Sequence, residues 1–254
     1  MSNKDVVTDE YSLLFGDCLE RMKEIPDGSV DLILTDPPYN IAKQNNFHTM
    51  GRTGIDFGEW DKGFDLFTYI DSLNRVCTKN ANIVIFNSWK NIGEIAKYAE
   101  ARGFVIKDML RWEKSNPMPR NRDRRFIVDY EVAVWLTMPK AKWVFNRQNE
   151  TYDRPCFRGS LTPSNEKTEH TTQKPIWLME HILKTLSNPN DMVLDPFNRI
   201  EQGANYGTQM QFIQKTLGKL ISFCRKTDSL LFLVAHPTKL RKNEKNGKFP
   251  IARC

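Results

Sequence analysis

Residues 11–36, YSLLFGDCLERMKEIPDGSVDLILTD, constrain the fold of this chain more than any other stretch. YSLLFGD (11–17) predicts a short strand ending at Gly16-Asp17. CLERMKEI (18–25) carries its apolar residues at helical spacing and stops at Pro26-Asp27-Gly28, a turn signal. VDLILTD (30–36) is a nearly continuous apolar run, the pattern of a strand covered on both faces in a parallel sheet. Strand, helix and strand in this order make a βαβ unit. Parallel strands need crossover helices lying on the sheet faces, so the expected class is α/β with a doubly wound, mostly parallel sheet. Ligand sites are then expected beyond the carboxyl ends of the strands.

The rest of the chain continues the alternation. Helices are predicted over 64–78, 90–103, 175–187 and roughly 204–226, with Pro175 in the first turn of the third. Strands are predicted over 81–88, 104–114, 129–138, 142–146 and 229–236, and over DMVLDPF (191–197). Residues 41–64 carry several glycines and no period, so they predict a long loop of the kind that bears function beside strand ends. Residues 147–172 are polar and predict a second loop. A chain of 254 residues buries a full core in one such domain, and no internal repeat is present.

Composition narrows the partners. No apolar run reaches the roughly 18 residues needed to span a bilayer, and the polar start MSNKDVVTDEYS lacks the apolar centre of a signal peptide. A cytoplasmic protein with no membrane partner is expected. Cys18, Cys77, Cys156, Cys224 and Cys254 form no CxxC pair, and His48, His170, His181 and His236 show no ligand spacing, so isolated thiols and no metal are expected. The net charge of +6 is concentrated in EKSNPMPRNRDRRF (113–126) and KLRKNEKNGK (239–248), as a polyanion-binding protein would have it.

TDPPYN (35–40) follows the apolar strand directly. Two consecutive prolines fix φ and remove two N–H donors, leaving a stiff turn that presents carbonyls. Asp36 and the Pro37 carbonyl can then accept both hydrogens of one amino group, while Tyr39 offers a flat face for a ring. An exocyclic base amine needs such a site. Its lone pair is delocalised into the ring, and two acceptors on its hydrogens favour the tetrahedral, nucleophilic form. A rigid turn with an acidic cap is the structural alternative for an isolated Asp-Pro-Pro, but it leaves Tyr39 and the buried strand unexplained.

With DPPYN go GDCLERMKEIPDGSVDLI, FGEWDK, WEKSNPMP, RRF…YEVAVW and TTQKPIWLMEHILKTLSNPNDMVLDPF. Over roughly residues 10–197 the chain resembles the DNA amino-methyltransferases that use S-adenosylmethionine, in the permuted group whose catalytic motif precedes the cofactor loop. The resemblance implies a Rossmann-like catalytic domain over 10–197 acting on adenine N6 of double-stranded DNA, with cytosine N4 as the alternative. The protein is then a monomer or a homodimer. It implies that Asp36, Pro37, Pro38 and Tyr39 hold a flipped-out target base, whose amine is otherwise paired. Gly16, Asp17 and Cys18 would line the cofactor's adenine. Gln173, Lys174 and Pro175 would lie at its methionine end, with Lys174 near the carboxylate, and Asp195 and Phe197 would begin the cofactor loop. Read alone, an acidic residue at the place of Asp17 is more often a helix N-cap, and a lysine at the place of Lys174 more often a solvated surface charge. The loop at 41–63 and the segment 113–126 would face DNA, with Lys114, Arg120, Arg122, Arg124 and Arg125 on phosphates and Trp60 or Trp112 stacking or wedging. The bland alternative for these is a solvated basic face and core tryptophans.

After Asp195-Pro196-Phe197 the family continues into a glycine-rich turn, through which the backbone approaches the cofactor. Here Asn198-Arg199-Ile200-Glu201 follows, and the last strand ends in His236-Pro237 in place of an acidic residue. Residues 193–250 instead resemble the core of ring-forming replicative helicases, with LDPFNRIE as a metal-coordinating strand end and LVAHPTK carrying a phosphate-sensing histidine. No G-x-x-x-x-G-K-[ST] loop accompanies them, so no ATP site is implied. Segment 198–254 is expected to complete the sheet as helix then strand while leaving the cofactor pocket incomplete. The resulting expectation is an impaired methyltransferase, with a catalytically inactive DNA-binding protein of the same fold as the alternative.

Overall fold

The structure, a computed structural model, describes residues 5–7, 11–39, 65–119, 122–164, 173–201 and 230–238. In chain order its elements are β1 (Val6–Val7), β2 (Tyr11–Phe15), α1 (Cys18–Met22), β3 (Val30–Thr35), α2 (Thr68–Val76), β4 (Cys77–Asn87), α3 (Trp89–Ala101), β5 (Val105–Lys114), β6 (Tyr130–Thr137), β7 (Cys156–Gly159), α4 (Ile176–Leu186), β8 (Met192–Glu201) and β9 (Leu230–Thr238). The predicted loop 41–63 with Trp60, Arg120, and the predicted helix at 204–226 lie outside the described residues.

All nine described strands form one sheet in the order β1-β2-β9-β8-β3-β4-β6-β5-β7. From β2 to β4 every pairing is parallel. Strand β6 then runs antiparallel to both β4 and β5. Alternate residues of the central strands enter opposite layers, which is why their middles, LIL (32–34) and IVIF (83–86), are unbroken apolar runs. Ile33, Ile83 and Ile85 pack with α1, α2 and α3 through Met22, Ile70, Leu73 and Ile95. Leu32, Leu34, Val84 and Phe86 face α4 through Leu178, Ile182 and Leu186. The chain leaves β3 toward β4 on one side and leaves β8 toward β9 on the other. The boundary between β3 and β8 is therefore the topological switch point, where doubly wound sheets carry their ligand crevice beyond the strands' carboxyl ends.

Local chemistry sets the element ends. The Asp17 carboxylate caps α1, accepting from Leu19 N and Glu20 N, and the Ser88 hydroxyl caps α3 by accepting from Lys90 N. Gly16 has φ +151, and a Cβ there would come within 2.9 Å of Arg21 Cδ, so the strand-to-helix corner requires glycine. Among the described residues no helix is long and apolar enough to cross a membrane.

Several elements differ from the sequence expectation. KWVFN (142–146) is not a strand: Lys142 N donates to Asn80 Oδ1, Asn146 N to Thr185 O, and Asn146 Nδ2 to Ser187 O. Its polar groups serve the carboxyl end of α4 and not a ladder. Conversely, CFRG in the expected 147–172 loop forms edge strand β7 parallel to β5. Its Gly159 lets Trp177 pack flush, since a Cβ there would sit 2.3 Å from Trp177 Cζ2. Strand β4 starts at Cys77, ahead of the expected Ala81. Strand β8 does not end at Phe197 but continues to Glu201, pairing Asn198 with Ala235 through to Glu201 with Thr238. The pairing slips between Asp195 and Asn198, as Pro196 with its missing N–H demands. Strand β9 lies between β2 and β8.

Candidate active site at the switch point

Residues 36–39 leave β3 at the switch point, and the buried Pro37 anchors the turn. The Tyr39 hydroxyl donates to Asp36 Oδ1 at 2.7 Å, so the aromatic ring stands beside the carboxylate. Asn91 Nδ2, at the start of α3, donates to Tyr39 O at 2.8 Å and to Asn87 Oδ1 at 2.8 Å. The far end of the turn is thereby fastened to the neighbouring strand end and helix. Burial, with Asp36 and Glu131 adding to it, pushes the Tyr39 hydroxyl well above the ordinary tyrosine range, so it stays a donor.

Lys174 lies just before α4, with its side chain 5% exposed, and its Nζ sits 2.5 Å from Asp36 Oδ2. It also lies 3.1 Å from Glu131 Oε2 and 3.2 Å from the Tyr39 hydroxyl. Glu131, near the start of β6, is paired in turn with Lys114 at the end of β5, 2.7 Å away. Burial alone would push the Lys174 ammonium down. The Asp36 and Glu131 carboxylates outweigh it and hold the group above the ordinary lysine range. For Glu131 burial likewise opposes ionisation, and Lys174 and Lys114 overcome it, leaving its pKa below the usual glutamate value.

Across the crevice, at β8, Asp195 Oδ1 accepts from Thr35 Oγ1 at 2.7 Å and from Phe197 N at 3.0 Å. The two strand ends that border the crevice are joined by that first bond. Among the described residues both bonds fall on one oxygen, which leaves Oδ2 for a ligand. Burial pushes the Asp195 carboxyl up to about 6. A raised acid is destabilising only when ionised. Its stability contribution is complete below about pH 4, the unfolded value, and is lost as pH rises through about 6. The shift corresponds to about 3 kcal/mol. Urea denaturation should therefore show wild type losing up to that amount against Asp195→Asn between about pH 4 and pH 7. Parallel pH curves for the two proteins would contradict it.

The remaining sequence-named residues fall as follows. Gly16 and Asp17 form the corner after β2, with Asp17 spent on the α1 cap. Cys18 is fully buried, so its side chain packs into the core and only its backbone can line a ligand. The Gln173 carbonyl accepts from Thr162 Oγ1 at 2.7 Å, and Pro175 is the N-cap of α4, one position ahead of the first turn. Phe197 packs edge-on against Tyr69 at 5.0 Å, inside the core. Arg122, Arg124 and Arg125 are exposed, beside a Phe126 that is 96% exposed. Lys114 is placed differently from a phosphate ligand, because its ammonium turns inward onto Glu131. Trp112 takes the core alternative: it is buried, 6.5 Å from Trp177 ring to ring.

Glu131, Thr35 and Asn91 escaped the sequence reading. Only Thr35 had a local signal, as the residue directly before Asp36.

A family model described as DNA methylase (N6_N4_Mtase) matches residues 30–203. The chain is 32% identical to type II methyltransferase M.HinfI of Haemophilus influenzae, over 73% of its own length and 58% of that protein's. The chain thus spans less than two thirds of that relative's length. It is 30% identical to type II methyltransferase M2.LlaDCHI of Lactococcus lactis subsp. cremoris, over 73% of this chain and 76% of the other. Among solved structures it is similar to the M1.HpyAVI-SAM complex, with TM-score 0.63 and 32% identity, covering 89% of this chain and 92% of that one.

Proposed function

This chain belongs to the DNA methylase family, and on that premise we propose that it transfers a methyl group from S-adenosylmethionine to adenine N6 in double-stranded DNA. The observation that carries the reading is the Asp36 carboxylate. It is held by Tyr39 and Lys174 at the mouth of the switch-point crevice, with Asp195 on the opposite strand. Asp36 and the Pro37 carbonyl accept the hydrogens of the target amine, and the Tyr39 ring stacks on the base. That base has left the duplex, because its amine is paired inside it. Exposed Arg122, Arg124 and Arg125 neutralise phosphates nearby.

The donor set fits the cofactor in part. Asp195 Oδ2 suits its ammonium, and the corner at Gly16–Cys18 and residues 173–175 border the same strand ends. The cofactor supplies an electrophilic methyl on a sulfonium whose departure as a neutral thioether needs no metal. Where the family has a glycine-rich turn, Asn198–Glu201 extends β8 as a paired strand. The proposed consequence is weakened cofactor affinity with the base site retained.

Titration calorimetry with S-adenosylmethionine tests this. Binding is expected in the millimolar or upper micromolar range. It should tighten about tenfold from about pH 5 to about pH 7, as Asp195 ionises. No heat at millimolar cofactor would overturn the enzyme reading in favour of a DNA-binding protein without catalysis. Nucleoside analysis of methylated DNA separates N6-methyladenine from N4-methylcytosine, whose amine presents the same two hydrogens.

A further inference from the structure

Four ionised groups run in alternating sign from the base of the arginine-rich segment to the candidate catalytic turn. In order they are Lys114 on β5, Glu131 on β6, Lys174 before α4, and Asp36 after β3. Successive separations are 2.7, 3.1 and 2.5 Å, and none of the four side chains is more than 27% exposed. Charges so little solvated are costly unless paired, so each member depends on its neighbours. Among the described residues Glu131 makes no hydrogen bond or ion pair to residues 36–39. Its oxygens are divided, Oε1 to Lys114 and Oε2 to Lys174.

That division has a consequence for Asp36. Were Lys174 paired with Asp36 alone, the full ammonium charge would bear on one carboxylate and weaken it as an acceptor. Shared between two carboxylates, Lys174 orients Asp36 without neutralising it. The two acceptors also fix where Nζ stands, 5.4 Å from the Tyr39 ring centre and 5.2 Å from that of Phe86. Given the methyltransferase reading, on which this inference rests, we propose that Glu131 is a positioning residue for methyl transfer. It holds Lys174 Nζ on Asp36 while leaving Asp36 free to accept from the target amine.

The test is Glu131→Gln in the full chain, which keeps the volume and an oxygen for Lys174. The expected result is a kcat lower by about tenfold to a hundredfold, the usual cost of a misplaced reacting group. KM for DNA and for S-adenosylmethionine should be unchanged. The groups acting on Lys174 are Asp36, Glu131 and the Tyr39 hydroxyl, with Asp195 from β8 farther off and Lys114 beyond Glu131. Loss of the Glu131 charge leaves burial opposed by Asp36 alone. The alkaline limb of the kcat profile should then move to lower pH, which a purely structural role would not produce. An unchanged kcat, or a lower kcat with wild-type limbs and a lowered melting temperature, would overturn the proposal.

A second readout does not need turnover. The nitrogen-15 shift of the Lys174 ammonium, followed across pH by NMR, should show its titration midpoint falling in Glu131→Gln. An unmoved midpoint overturns the positioning role even if wild type transfers no methyl group. A moved midpoint with inactive wild type would instead place the failure in the proposed function.

Discussion

Asp36→Ala is expected to lower kcat for methyl transfer by about a hundredfold to a thousandfold, the range found when one preorganised hydrogen-bonding group is removed from a reacting centre. Transfer of a labelled methyl group to DNA measures it. Among the described residues Asp36 is the carboxylate bonded to the Tyr39 hydroxyl, so its loss removes the proposed side-chain acceptor for the target amine. Lys174 keeps its second carboxylate, Glu131, in the variant, so the chain should stay folded. Cofactor affinity by calorimetry should persist, because Asp195 is across the crevice on β8. Undiminished transfer by Asp36→Ala would refute the site.

The second large effect is on stability. Lys174→Met removes the cation between Asp36 and Glu131 and leaves a sparsely solvated carboxylate pair, at an expected cost of about 3–5 kcal/mol. The pH dependence has a definite sign. In wild type the pKa of Glu131 is lowered, so its contribution is present above the unfolded value, about 4.3, and is lost as pH falls through the folded one. In the variant the two carboxylates raise each other, and one takes a proton at mildly acidic pH. The deficit against wild type should therefore be largest near pH 7 and shrink toward about pH 5 in urea denaturation. A deficit below about 1 kcal/mol at neutral pH would mean that the ion pairs do not hold this part of the core.

Much of the architecture was legible in runs of residues. LIL (32–34) and IVIF (83–86) are unbroken apolar runs because both faces of β3 and β4 are covered, one by α1 to α3 and the other by α4. Asp17 was an N-cap candidate from its place before CLERM, and it caps α1. The errors arose where a short run has two outlets for its polar groups. KWVFN has strand composition, yet the free carbonyls at the end of α4 claim Asn146. CFRG has none, yet the open edge of β5 recruits it. Likewise the strand over 191–197 was expected to stop at Phe197, whereas Asn198–Glu201, which the helicase resemblance put at a strand end, continues it alongside β9.

The candidate site divides in the same way. DPPY announces its chemistry because the rigidity of two prolines and the acceptor of Asp36 are properties of adjacent residues. By itself the sequence determined a doubly wound α/β chain with an amine-accepting turn at the end of its central strand. It also determined that a glycine turn is missing after Phe197. Only the tertiary structure decided that Lys114, Glu131, Lys174 and Asp36 form one alternating chain, and that Thr35 ties Asp195 to the turn. The reason is that hydrophobic patterning acts through periods of two to four residues. Pairing among buried charges depends on which strand ends the sheet order brings together, here across 138 positions of sequence between Asp36 and Lys174.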